Sequence, residues 1–282
     1  MSKKFRFSKE SRARMKSFAI GEEPASSRAE EKNPELAEPE EQLPDVPLIV
    51  ETRTDVGKVR ASNQDALIEG ERLWGVADGM GGHKGGETAS AGARDGLLKA
   101  LEDKEPSLDA LREGVTEVNA QLFEQQRGDA ALSGMGTTLT VMWLSDHFAY
   151  LGHVGDSRAY LLRDGKFRQV TDDHSLVAEL FRLGQLTREQ AANHPMRNVI
   201  TRAVGTEEQI DIDLIVEERR KGDLWLICSD GLYGMVPDEQ IEATLAAHTP
   251  KRAADLLMEM ALNAGGRDNI SLVILLDREG GQ

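Results

Sequence analysis

Six short apolar runs set the strongest limit on what this chain can fold into. RLWGVA (72–77), TLTVMWL (138–144), HFAYLGHV (147–154), RAYLLR (158–163), LWLIC (224–228) and ISLVILL (270–276) are five to eight residues long. Runs of this length, bounded by Gly, Asn or Asp, predict strands, several of them buried on both faces. Between RAYLLR and KFRQVT, Asp164-Gly165 tolerates the positive φ of a type I′ turn and predicts a hairpin. One helix is expected over about 88–102. A second carries Leu108, Leu111, Val115, Val118 and Leu122 at three- and four-residue spacing behind Ser107 as N-cap. A late helix starts at Thr249-Pro250 and stops at Gly265-Gly266. The order is strands, two helices, strands, an irregular insert, a strand, then helices and a last strand. That mixture predicts an α+β sandwich rather than alternating βαβ units.

Four of the runs carry an aspartate at one end, beside Gly or Asn. Asp78 follows WGVA, Asp156 follows YLGHVG, Asp230 follows LWLICS, and Asp268 precedes NISLVILL. Taken singly, each is an ordinary turn dipeptide. Taken together, they are acids at strand ends, where a rigid scaffold can make side chains converge. A converged set would be all hard oxygen, without thiolate, which favours Mg²⁺ or Mn²⁺ over zinc. Crowded carboxylates also demand cations, because like charges raise one another's pKa. Two such ions about 3.5–4 Å apart can bridge a water, lower its pKa and aim it at phosphorus.

The stretch VADGMGGHKGGETAS (76–90) is rich in glycine, yet it is not a nucleotide loop. A P-loop needs Gly-Lys-Ser/Thr, and Lys84 stands between His83 and Gly85. Counting G-x-G-x-x-G from Gly79 and Gly81 puts Lys84 where the third glycine belongs. His83 is either a surface histidine or a general acid for a basic leaving oxygen. Arg60, in VRASNQD, is either a solvated charge or a planar fork for phosphate. Asp65 either joins the acid cluster through waters or belongs to an ordinary polar turn.

Other chemistries fit less well. From Cys228, the C-x₅-R spacing of thiol phosphatases lands on Gly234, and GDSRA (155–159) lacks the second glycine of G-x-S-x-G. Cys228 is the only cysteine and sits inside an apolar run, so a buried, inert thiol is expected. The net charge of −15 argues against a nucleic-acid partner. No run reaches the roughly 18 apolar residues of a membrane span, the start lacks a secretory h-region, and the expected location is the cytoplasm. Residues 1–20 carry about +6 and residues 21–45 about −7, and five of the nine prolines lie in 21–47. Residues 1–45 are therefore expected to be a disordered extension, whose basic start is a solvated tail or a docking segment, ahead of a domain over 46–282.

The ordered set of Arg60…Asn63-Gln64-Asp65, VADGMGGHKGGETAS, SGMGTTLT (133–140), HVGDSRAYLLRDG (153–165), TDDHSL (171–176), ICSDGLYGMV (227–236) and GGRDNISLVIL (265–275) resembles the metal-dependent protein phosphatases of the PPM, or protein phosphatase 2C, family, in particular the bacterial branch. The resemblance covers roughly residues 50–276. It implies a four-layer α/β/β/α sandwich of two antiparallel sheets flanked by helices, with a metal cluster at one edge. It implies hydrolysis of phosphoserine and phosphothreonine in proteins by a metal-bridging water. By motif, Asp78 would bridge two ions, the Gly79 carbonyl would bind one, Asp230 and Asp268 would hold the second, and Asp156 with Asp230 would hold a third. Arg60 would bind the substrate phosphate, Asp65 would order metal-bound waters, and His83 would protonate the leaving oxygen. Residues 175–205 would form a flap beside the site, or else a merely structural insertion. Phosphoproteins and a cognate Ser/Thr kinase are the implied partners of an expected monomer. The rival expectation is a catalytically idle phosphoprotein-binding module, whose acids only cap turns.

Overall fold

The structure is a computed structural model, and it describes residues 47–81, 85–192 and 194–281. The extension expected over 1–45 lies outside the described residues, as does His83.

Eleven strands and seven helices follow one another along the described chain. In order they are β1 (Leu48–Asp55), β2 (Asp65–Glu69), β3 (Leu73–Met80), α1 (Gly85–Leu101), α2 (Leu108–Gly128), β4 (Gly136–Thr137), β5 (Leu139–Leu144), β6 (Phe148–Val154), β7 (Arg158–Arg163) and β8 (Lys166–Gln169). Then come α3 (Leu176–Arg182), α4 (Arg188–Ala192), β9 (Asp213–Glu218), β10 (Leu224–Cys228), α5 (Asp230–Tyr233), α6 (Asp238–Ala247), α7 (Pro250–Asn263) and β11 (Ile270–Asp277). One sheet has the order β1-β11-β10-β7-β8. The other has β2-β3-β5-β6-β9, with β4 on the end of β3. Every pairing is antiparallel.

The apolar runs are continuous because these strands have two buried faces. Alternate side chains of a strand point to opposite sides. On β11, Ile270, Leu272 and Ile274 pack with Leu257 and Ala261 of α7, while Val273 and Leu275 face the other sheet. On β5, Val141 and Trp143 meet Leu111 and Val115 of α2, and Met142 and Leu144 point the opposite way. Helices α1 and α2 cover one sheet, α6 and α7 cover the other, and the sheets pack face to face. This is the four-layer α/β/β/α order that the resemblance implies.

Trp225, 1% exposed, fills the layer between the sheets with Trp74, Met142, Leu161 and Val273. Trp225→Ala is expected to cost about 3–5 kcal/mol, because deletion loses transfer energy and leaves a cavity in a layer with little room to collapse. Denaturant unfolding of the variant checks this.

Local signals behave as their chemistry predicts. Ser107 accepts a hydrogen bond from the Ala110 amide, and Thr249 accepts one from Arg252 ahead of Pro250. The β7–β8 turn has φ of 52° at Asp164 and 71° at Gly165, as a type I′ hairpin requires. The insert folds into α3, a left-handed Gly184 and the short α4, and a β-bridge between Ser175 and Ile200 closes its root. Cys228 is buried, and burial pushes its thiol far above the usual range. Among the described residues, no helix is long and apolar enough to cross a membrane.

Candidate active site

The acids meet where the two sheets end side by side. Asp65 opens β2, and its cross-strand partner on β3 is Asp78. Asp78 is not at a strand end, as its flanking glycines suggested: β3 continues to Met80 because Gly79 and Met80 pair with β4. Two carboxylates directly opposite in a sheet repel, and such a pair persists only where protons or cations intervene. From the other sheet, Asp230 begins α5 two residues after the end of β10, and Asp268 lies two residues before β11. Asp156, 7% exposed, sits in the β6–β7 turn.

Each backbone around these acids is pinned. The Asp78 amide donates to Thr138 Oγ1 at 2.9 Å, and that hydroxyl shares a 2.8 Å hydrogen bond with Ser157 beside Asp156. Asp65 Oδ2 accepts from Ser229 Oγ at 2.8 Å, the residue before Asp230. Asn269 is more than half of a turn dipeptide. Its Nδ2 donates to the carbonyls of Val56 and Ser62 at 2.9 and 3.0 Å, and its Oδ1 accepts from the Gln64 amide at 2.8 Å. It therefore straps the loop that carries Arg60 onto the head of β11. Arg60 Nη2 then pairs with Asp268 Oδ2 at 2.6 Å, with half its side chain exposed.

The glycines here are spatial requirements. A Cβ on Gly79 would lie 2.0 Å from the Gly86 carbonyl oxygen, and one on Gly86 would lie 2.7 Å from the Gly79 carbonyl oxygen. The start of α1 can therefore approach β3 only if both residues lack side chains.

The electrostatics are those of an uncompensated acid cluster. Asp78 is pushed well above the usual carboxyl range, first by burial and then by Asp65, Asp230, Asp156 and Asp268. Burial, followed by Asp156, Asp268 and Asp65, pushes Asp230 up to about 8, with Arg60 opposing. Asp65 rises to about 6 by burial, against hydrogen bonds from Ser271 and Ser229. Asp156 also rises to about 6, by burial and then Asp173. Two buried carboxylate oxygens, Asp65 Oδ1 and Asp230 Oδ1, have no hydrogen-bond partner. Orphaned buried acceptors are costly unless a proton or cation meets them. An all-oxygen donor set with such acceptors suits Mg²⁺ or Mn²⁺.

The cluster is not a finished cage. Among the described residues, no three His, Cys, Asp or Glu side chains stand close enough together to form a ligand group. Asp268 shows why, because Arg60 takes its Oδ2 and its Oδ1 accepts from the Asn269 amide at 2.9 Å. The structure thus brings Asp65, Asp78, Asp156, Asp230 and Asp268 into one electrostatic cluster, with Gly79 next to Asp78 and Arg60 on its rim.

The family model of protein phosphatase 2C matches residues 58–268, from just before Arg60 to Asp268. The chain belongs to the protein phosphatase 2C family. Among family members with curated names, it is 41% identical over 235 residues to the serine/threonine protein phosphatase PstP of Mycobacterium tuberculosis. That match covers 82% of this chain and 45% of PstP, so the chain spans about half of that relative's length. It is 39% identical over 241 residues to the serine/threonine phosphatase stp of Listeria monocytogenes, covering 81% of this chain and 95% of stp. A crystal structure of the PstP catalytic domain in complex with two manganese ions superposes with a TM-score of 0.76 at 38% identity, covering 82% of this chain and 99% of that one.

Several residues that support this protein phosphatase 2C site carry no sequence signal strong enough to single them out. Ser229 and Thr138 sit inside recognisable motifs, yet only the fold reveals that they hold Asp65 and Asp78. Arg158, Asp173 and Tyr233 are further cases, because their contacts cross long stretches of chain.

Proposed function

We propose that this chain is a metal-dependent protein serine/threonine phosphatase, hydrolysing phosphoserine and phosphothreonine in protein substrates. The observation that carries the reading is the cluster of five aspartates with two buried, unpartnered carboxylate oxygens in a protein phosphatase 2C fold. Asp78, the Gly79 carbonyl, Asp230 and Asp268 would hold two divalent ions, Mn²⁺ or Mg²⁺, and Asp156 with Asp230 a third. Such ions, when bound, acidify water and neutralise phosphate charge.

The chain's own residues supply the rest. Arg60 is half exposed, and its planar guanidinium can turn from Asp268 to the substrate phosphate, binding two oxygens at once. Asp65, anchored by Ser229, keeps its buried Oδ1 without a hydrogen-bond partner and is proposed to order metal-bound waters with it. His83 stands five residues past Asp78 in the glycine-rich stretch and is proposed to give its proton to the departing serine or threonine oxygen. The insert of 175–205 is proposed as a flap that shapes substrate choice. A Ser/Thr kinase with overlapping targets is the proposed physiological partner, and the activity is assigned to a monomeric domain over 46–282.

Phosphate release from a phosphothreonine peptide tests the reading, with Mn²⁺, with Mg²⁺ and with EDTA. Turnover that needs the metal and disappears with EDTA is the expected result. Turnover indifferent to EDTA, or none with Mn²⁺ bound by calorimetry, would replace the phosphatase with a different hydrolase or a phosphoprotein-binding module. The same assay on residues 46–282 tests the domain assignment.

A further inference from the structure

The turn that carries Asp156 is held by a closed circuit of side chains that the phosphatase reading does not use. On one side, the Gly155 amide donates to His174 Nδ1 at 3.0 Å, and the His174 amide donates back to the Gly155 carbonyl at 2.8 Å. Gly155 has φ of +106°, and a Cβ there would lie 2.6 Å from Thr138 Cβ, so the turn has no slack of its own. Next along the chain from His174, Asp173 receives the guanidinium fork of Arg158, with Nε at 2.9 Å and Nη2 at 2.7 Å. The Arg158 guanidinium lies over the ring of Tyr233, 3.7 Å from its centroid. The Tyr233 hydroxyl closes the circuit, donating to the Asp156 carbonyl at 2.9 Å.

The circuit joins three segments. Tyr233 ends α5, the helix that Asp230 begins. Asp173 and His174 form the root of the insert, where the Thr201 amide donates to the His174 carbonyl at 2.8 Å. Arg158 starts β7, with Cys228 of β10 as its cross-strand partner, two residues before Asp230. A planar fork on a carboxylate and a cation over an aromatic face both fix orientation, not only proximity.

We propose that Arg158 and Tyr233 are positioning residues that set the Asp156 carboxylate against Asp230 and tie both to the root of the insert. The inference rests on the reading that Asp156 and Asp230 share a divalent ion. Outer partners that orient a ligand typically change metal affinity by about 10–100-fold when removed. A purely structural role would instead lower thermal stability and weaken every metal step alike.

The test is calorimetric titration of the metal-stripped full chain with Mn²⁺, alongside thermal unfolding, for the wild type, Asp156→Asn, Tyr233→Phe and Arg158→Lys. Tyr233→Phe keeps the ring under the guanidinium and removes only the bond to Asp156. Arg158→Lys keeps the charge and removes the fork and the planar stack. The expected result is that Asp156→Asn abolishes the weakest Mn²⁺ step, and that Tyr233→Phe and Arg158→Lys weaken the same step about tenfold while leaving the tighter steps alone. If Asp156→Asn removes that step and Tyr233→Phe leaves it within twofold of wild type, the positioning role is overturned. It is equally overturned if Tyr233→Phe weakens all steps in proportion to a fall in melting temperature. If Asp156→Asn alters no Mn²⁺ step, the shared-ion reading itself fails and takes the positioning role with it.

Discussion

Asp78→Asn is expected to reduce phosphate release by about 10³-fold or more, while raising the melting temperature of the metal-free protein. The two effects have one cause. Asp78 stands opposite Asp65 across the β2–β3 pair, with Asp230, Asp156 and Asp268 nearby, and burial and those neighbours together disfavour its charge. Asparagine has nearly the same shape and can donate to Asp65, so it removes a repulsion without opening a cavity. The same change removes the charge proposed to hold two ions, and about 4 kcal/mol of transition-state stabilisation corresponds to the stated loss. A stable fold paired with a dead enzyme is the expected signature of a site kept at the expense of stability. Phosphate-release assays and thermal unfolding in EDTA measure the two halves. A variant that loses stability and activity together would mean that Asp78 is a structural residue.

The second large effect concerns pH. The stabilisation that Mn²⁺ gives the fold is expected to widen as pH rises from about 5 to about 8. The carboxyls of Asp65 and Asp156 rise to about 6 and that of Asp230 to about 8, above the ordinary 3.8. A group whose value is raised on folding contributes stability that is fully present below 3.8 and is lost as pH climbs through the raised value. The metal-free protein therefore loses this contribution between about pH 4 and 8. Divalent ions compete with those same protons, so their apparent affinity rises by up to about tenfold per pH unit for each proton displaced. Melting temperatures with Mn²⁺ and with EDTA across that range give the result directly. A constant difference at all pH values would mean that these carboxylates do not meet the metal.

The parts of the fold legible from sequence were those with both faces buried. All six apolar runs became strands, because a strand covered on two sides is apolar at both parities apart from a few buried polar side chains with partners of their own, such as Thr140 and Ser271. The strands β1, β2 and β9 were not anticipated, and each lies at the edge of a sheet. LIVETRTD and DLIVEE mix charged residues with apolar ones, as edge strands do to resist pairing with another chain, and the mixture erases the apolar signal. The acids were legible as a set because each stood beside an apolar run, but their neighbours were not. Asn269 reads as a turn residue until its three bonds to 56–64 are seen, and nothing near Tyr233 in sequence announces a hydrogen bond to residue 156. Spacing finds residues that one local element places, whereas partners brought together by two separate sheets have no spacing to find.

Strand β11 has a consequence for the order in which the molecule can be made. It is the last strand among the described residues, yet it lies inside its sheet, between β1 and β10. During synthesis β1 emerges long before its one strand partner exists, and both its edges stay unpaired until residues 270–277 leave the ribosome. The same late segment brings Asp268 to Arg60 and Asn269 to the 56–64 loop, contacts that span more than 200 residues. Closing loops of that length is slow. The rim where Arg60 meets Asp268 is therefore among the last features to form, and the acid cluster is incomplete until β11 has been threaded into place.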